Sequence, residues 1–398
     1  MARYLFAWEL GGDYGHLARL LPVALALRAR GHEVVFAVRD LMGAETLIQP
    51  HGLATYQAPL WLRKVTRMPD AISYPELLMR FGYLHATALT GVCRAWRNMI
   101  ELLQPDAVVL DHAPTALLAT RGMKLARINF GDGFCIPPAS QPMPHFRWWQ
   151  GENMARLLDS EKHALANANE VLTALGAPTL PRMGALRECD VTLMCTFPEL
   201  DHYPQREPQD YLGPIYTLGT GADPAWPSAD GARIFAYLKP GHGLLDAMLD
   251  ALHKSGARAL VHIPGAARQT LTRFDHGKVH LSTAPLPMER MARECDLALC
   301  HGGAGTTAAL LLAGKPMLLV PSQMEQAMTA HRIAAMGAAQ VVTPDTAIHF
   351  PKMLAAAIGS TAMRAAARVF ADAHPSYDQK ATIATAADRC ESALRGLP

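Results

Sequence analysis

Apolar residues in this chain fall into short unbroken runs, each followed by a glycine-bearing turn or a stretch of helix formers. The first run, residues 4–8, leads into the turn GGDYGH and a helical segment over 17–29 that closes at Arg30-Gly31-His32. A second run, EVVFAV over 33–38, follows at once. Runs this short and this uniformly apolar predict strands buried on both faces of a parallel sheet, with the helices as crossovers. Further strands are predicted over 107–111 (AVVLD), introduced by Pro105-Asp106, and over 126–130, with a helix from about residue 113 between them. Residues 131–147 are rich in proline and glycine and read as irregular loop, after which Trp148-Trp149 leads into a helix over 152–175.

Between 211 and 230 the composition shifts to Gly, Pro and Ala, which marks an interdomain linker. The strand–helix rhythm then restarts, with strands over 233–238 and 258–263 and a helix over 243–254. A strand over 297–300, a helix over 325–335 and a strand over 340–342 continue it, and helices run to the C-terminus. Two doubly wound α/β halves are the expectation: a Rossmann-like domain over 1–213, a second over 230–375, and a helical segment over 376–398 packing back toward the first. Ligands in such folds collect at the carboxyl ends of the strands, here expected to face an interdomain cleft.

The most informative stretch runs from Cys300 to Gln326. A buried strand enters the turn HGGAGTT, a helix-forming run stops at Gly314, and a second strand, MLLVP, follows. The turn leaves backbone N–H groups at a helix N-terminus, where the helix dipole also favours negative charge. A phosphate or diphosphate is the ligand this geometry suits. The first turn, with Gly15-His16, repeats the arrangement in the other half.

Composition narrows the classes. Half the residues are hydrophobic and 18% are charged, as in a well-packed soluble protein. A formal net charge of +2 gives no basic footprint for nucleic acid. The seven cysteines form no CxxC pair and the seventeen histidines no HExxH motif, so neither a disulfide framework nor a metal site is expected. Without a signal-peptide pattern or an apolar run near the ~20 residues of a membrane span, the expectation is a cytoplasmic protein with at most peripheral membrane contact.

HGGAGTTAALLLAGKPMLLVP with Glu325-Gln326, together with the N-terminal GHLARLLPVALALRARGHEVVFA, resembles the family 1 nucleotide-sugar glycosyltransferases of two-domain GT-B fold, the UDP-glycosyltransferase and macrolide type. The resemblance covers most of the chain and is sharp over about 60 residues. It implies two Rossmann-like parallel-sheet domains facing across a cleft. It also implies an inverting, metal-independent, cofactor-free transfer of a sugar from a UDP-, dTDP- or GDP-linked donor to a hydroxyl of a small-molecule or lipid-linked acceptor. By the same resemblance His301, Gly302, Gly303, Ala304, Gly305 and Thr306 hold the donor diphosphate, and Glu325 and Gln326 hold sugar hydroxyls. His16 becomes the general base and Asp111, at the end of AVVLD, the carboxylate that orients it. Asp13 competes for the base role. Acceptor contacts are expected from Asp13, Trp148 and His112, with Asp132 and His145 in nearby loops.

Three departures stand out. Pro285-Leu286-Pro287-Met288 replaces the family's Trp-x-Pro-Gln, so the base is left to groups around Met288. Lys239-Pro240-Gly241 replaces Phe-Gly-Ser, so Lys239 either offers a cation to the diphosphate or faces solvent. Arg19 replaces a proline, and either meets an acidic acceptor or a phosphate or lies on a solvated helix surface. Bland alternatives also stand: His16 as a surface or capping residue, Asp111 as a helix cap. Two other functions remain open, a nucleotide-sugar 2-epimerase on the same fold and a catalytically degenerate nucleotide-sugar-binding partner protein.

Overall fold

The computed structural model describes residues 1–396 apart from 13, 152 and 217–220. Asp13 therefore lies outside the described residues. The chain forms two compact units, Met1–Ile215 with Asp378–Pro398, and Tyr216–Tyr377.

The first unit is built on six parallel strands: β1 Arg3–Trp8, β2 Glu33–Val38, β3 Ala54–Gln57, β4 Ala107–Asp111, β5 Ala126–Gly131 and β6 Val191–Met194. Their order is β3-β2-β1-β4-β5-β6. Side chains alternate between sheet faces, so Tyr4, Phe6 and Trp8 of β1 share one face. They join one buried core with Leu17, Leu20, Ala24 and Leu27 of the helix Gly15–Ala29. Ala386, Ala387, Cys390 and Ala393 of the final helix Gln379–Arg395 belong to the same core. Arg30 ties that helix to the first, pairing with Asp388 at 2.7 Å and Glu391 at 2.8 Å.

The second unit repeats the plan with β7 Arg233–Tyr237, β8 Arg258–His262, β9 Val279–Ser282, β10 Leu297–Cys300, β11 Met317–Leu319 and β12 Ala339–Val341. Its order, β12-β11-β10-β7-β8-β9, is the first unit's order with each strand number raised by six and read from the other edge. Each unit is thus a doubly wound parallel sheet, as expected from the sequence. Each has a switch point where the chain reverses its direction across the sheet: between β1 and β4, and between β7 and β10. Loops leaving adjacent strands diverge there and leave a crevice at their carboxyl ends. In register, Trp8 at the end of β1 lies beside Asp111 at the end of β4.

Element types agree with the sequence pattern, and bounds move by a few residues. The helix expected over 152–175 spans Met154–Ala174, and that expected over 243–254 spans Leu245–Lys254. The sequence pattern named neither the edge strands β3, β6 and β9 nor the helix Ala86–Leu103. Among the described residues no helix is long and apolar enough to cross a membrane.

Candidate functional site

The first cluster sits at the switch point of the first unit. His16 is the second residue of the helix Gly15–Ala29, and its Nδ1 lies 3.1 Å from Oδ1 of Asp111, which is wholly buried. The imidazole stacks on Trp8, with ring centroids 5.2 Å apart. Gly11 backs onto its other nitrogen: a Cβ there would stand 2.3 Å from Nε2, and the backbone holds φ at +93°. Asp111 does not cap the following helix. Glu9 does, accepting from the amides of Thr115 (3.1 Å) and Ala116 (2.5 Å). The His16 side chain is only 13% exposed, so the surface reading fails as well.

Arg19 corrects the sequence expectation. Instead of meeting solvent or a ligand it is 6% exposed and forks onto Asp111, with Nε to Oδ2 at 3.2 Å and Nη2 to Oδ1 at 2.7 Å. Its Nη1 donates to Oδ2 of Asp132 at 2.8 Å. One helix turn separates Arg19 from His16, and this brings Nη2 to 3.3 Å from His16 Nδ1. Burial by itself would raise the Asp111 carboxyl, but Arg19 and His16 outweigh it and hold it below the ordinary range. Asp132 is lowered in the same way: burial opposes, and Arg19 and His202 prevail. Burial would drain charge from Arg19, and the two carboxylates keep it protonated.

His16, Asp111 and Cys135 bring three ligand-type atoms within 4.8 Å of one another. The set does not fit a cation, because a guanidinium already engages both oxygens of Asp111 and reaches Cys135 Sγ at 3.8 Å.

His112 lies beside this cluster, its ring centroid 5.8 Å from that of His16 and 6.1 Å from that of Tyr74. Burial, helped by His16, pushes it down to about 3, so it is neutral, and its Nε2 has no hydrogen-bond partner. Trp148 packs edge-on against Trp149, half-buried, while Phe146 is core beside Phe134. His145 is buried and accepts from the Arg147 amide. The sequence pointed to His16 and Asp111. It gave no sign of Glu9, and only proximity of type, a carboxylate in a nearby loop, for Asp132.

The second cluster occupies the equivalent switch point of the second unit. Gly302, at φ +91°, and Gly303 lead into the helix Ala304–Leu312, which no side chain caps. Its first-turn N–H groups at Ala304, Gly305 and Thr306 are the kind that bind anions. His301 is buried, with Nδ1 2.8 Å from the Val320 carbonyl and Nε2 accepting from the Lys239 amide at 2.9 Å. A carbonyl only accepts and an amide only donates, so this is the neutral Nδ1–H tautomer. His301 therefore binds the loop after β7 to the motif, and His242 of that loop packs against it, tilted, with ring centroids 5.0 Å apart.

Gln326 is buried, its Oε1 accepting from the amide and hydroxyl of Ser322 at 3.0 and 2.9 Å. Glu325 is half-buried in the first turn of the helix Met324–Ala335. Met288 opens the helix Met288–Glu294, and Lys239 is half-buried.

Residues 246–387 match the family model described as erythromycin biosynthesis protein CIII-like, C-terminal domain. An L-demethylnoviosyl transferase from Streptomyces niveus is 27% identical over 350 residues, 83% of each chain. Among solved structures, the calicheamicin glycosyltransferase CalG4 aligns with a TM-score of 0.73 at 18% identity, covering 100% of this chain and 99% of that one. The spinosyn rhamnosyltransferase SpnG complexed with thymidine diphosphate aligns with a TM-score of 0.68 at 21% identity, covering 96% and 99%.

Proposed function

We propose that this chain, a glycosyltransferase of GT-B architecture with an EryCIII-like C-terminal domain, moves a sugar from thymidine diphosphate to a hydroxyl of a small-molecule acceptor with inversion and without a metal. The pairing of His16 with Asp111 across the first unit's switch point carries the mechanistic part. Thymidine diphosphate is favoured among the possible donors because the related rhamnosyltransferase SpnG is known in complex with it.

In this reading Nε2 of His16 takes the proton of the acceptor hydroxyl. The acceptor oxygen forms its bond to the anomeric carbon as the bond from that carbon to the diphosphate oxygen breaks on the opposite face. Asp111 fixes the Nδ1–H tautomer and supports the imidazolium that forms. The amides of Ala304, Gly305 and Thr306 and the positive end of their helix take up the charge developing on the departing diphosphate. Glu325 accepts hydrogen bonds from sugar hydroxyls. His301 and Gln326 shape the donor loop, through Lys239 and Ser322 respectively. All seven cysteines are free thiols, which suits the reducing cytoplasm we assign to the enzyme.

A thermal-shift panel of nucleoside diphosphates tests the donor assignment, since a ligand that binds only the native state raises the melting temperature. Thymidine diphosphate should give the largest rise. With the matching donor sugar, acceptor-dependent release of thymidine diphosphate and a product of inverted anomeric configuration by NMR are expected. A retained configuration would overturn the single-displacement mechanism.

A further inference from the structure

We propose that Arg19 and Asp132 are positioning residues for the His16 base, holding its proton on the side of Asp111 and setting the pH range in which it works. The proposal rests on the transfer reaction described above. It starts from the competition around Nδ1 of His16. Asp111 Oδ1 lies 3.1 Å away and Arg19 Nη2 3.3 Å away. If Nδ1 donates to Asp111, Nε2 keeps its lone pair and can accept the acceptor proton. If Nδ1 instead accepts from Arg19, Nε2 carries the proton and the base is closed. Nη2 lies nearer Asp111, at 2.7 Å, and Asp132 restrains the guanidinium from its far corner through Nη1 at 2.8 Å. Asp132 is itself held by the amides of Phe134 and Cys135 on its other oxygen, at 3.1 and 3.2 Å. The fork is therefore directed at the carboxylate and away from the imidazole.

The charge count explains why two acids are needed. Arg19 alone would cancel Asp111 and leave the imidazolium without support. Asp132 restores one net negative charge to the group, so that protonation of His16 brings it to neutrality. The other titratable groups facing this cluster are His112 beside His16, Cys135 and Cys195 beside Arg19, and His202 beside Asp132. His112 and His202 are both held toward the neutral form by burial, and the two thiols are buried. The balance of charge thus lies with Asp111, Arg19 and Asp132.

The test is the pH profile of kcat/KM, with thymidine diphosphate affinity and circular dichroism as controls for folding. Asp132→Asn keeps an oxygen for the two amides and removes one negative charge, so the acid limb should move down by about one pH unit, with a lower plateau. Arg19→Gln should move the limb up. Should that variant not fold, Arg19→Lys, which keeps the charge and loses the fork, should lower the plateau and leave the limb in place. An Asp132→Asn profile lowered evenly with its limb unmoved overturns the proposal, as does a wild-type profile without an acid limb. Wild-type protein without transfer activity, or His16→Ala with full activity, would instead bring down the reaction on which the proposal rests.

Discussion

The backbone N–H of Lys239 donates to Nε2 of His301 across 2.9 Å and so joins the loops that leave β7 and β10. The contact spans the second unit's switch point, as the contact of His16 with Asp111 spans the first. In one unit the bridging histidine keeps Nε2, the atom we propose as the base, outside that contact. In the other both nitrogens are taken up within the protein, so His301 braces the loop we propose for the diphosphate.

Replacing that brace should loosen the donor site and spare the other unit. His301→Ala is expected to weaken thymidine diphosphate binding roughly 10-fold or more, since a half-buried amide loses its acceptor and the loop its anchor. Isothermal titration calorimetry reads this directly, and unchanged affinity would show that the brace has no bearing on the donor.

Gly11 should be intolerant of even a methyl group. The added Cβ would overlap Nε2 of His16 at 2.3 Å, and φ +93° strains any side chain. Gly11→Ala is expected to lower kcat by at least about 100-fold while thymidine diphosphate affinity stays within about twofold. Steady-state kinetics beside calorimetry separates the two effects.

Asp111 should matter for stability as well as rate. Asp111→Ala strips Arg19 of two of its three carboxylate contacts in a buried site, and breaking such a pair costs about 3–5 kcal/mol. Asp111→Asn keeps oxygen acceptance and volume and should cost less, though both variants lose transfer. Urea denaturation ranks them, and equal stability losses would contradict the fork.

Glu9 gives a pH signature. Burial raises its carboxyl from the ordinary 4.5 to about 7, against the hydrogen bonds from Ala116 and Thr115. The folded state thus holds this proton more tightly than the unfolded chain. That contribution is complete below pH 4.5 and is lost as the pH rises through about 7, on the order of 3 kcal/mol in all. Glu9→Gln cannot titrate. The melting temperature of the wild type relative to this variant should therefore fall from pH 5 to pH 8, and a difference that rises would reverse the assignment.

The strand starts and glycine turns were legible because buried parallel strands are apolar throughout and their turns need glycine. Gly302, at φ +91° with the Gln326 carbonyl 3.0 Å from a would-be Cβ, is such a case. The helix Ala86–Leu103 is legible in retrospect, since its buried Leu89, Cys93, Trp96 and Ile100 recur at the spacing of one helix face. The partners of Arg19 are not legible in the sequence, because they lie 92 and 113 residues away. Nor is the role of Glu9 at the helix Pro114–Ala119, because the sheet alone brings it to the amides of Thr115 and Ala116.

Transfer rate and thymidine diphosphate affinity measured side by side in His16→Ala bear most directly on the division of labour proposed between the two units. We expect kcat to fall about 10²–10⁴-fold, the usual contribution of a general base, with the dissociation constant for thymidine diphosphate unchanged within about twofold. Transfer within about threefold of wild type in the folded variant would contradict His16 as the base.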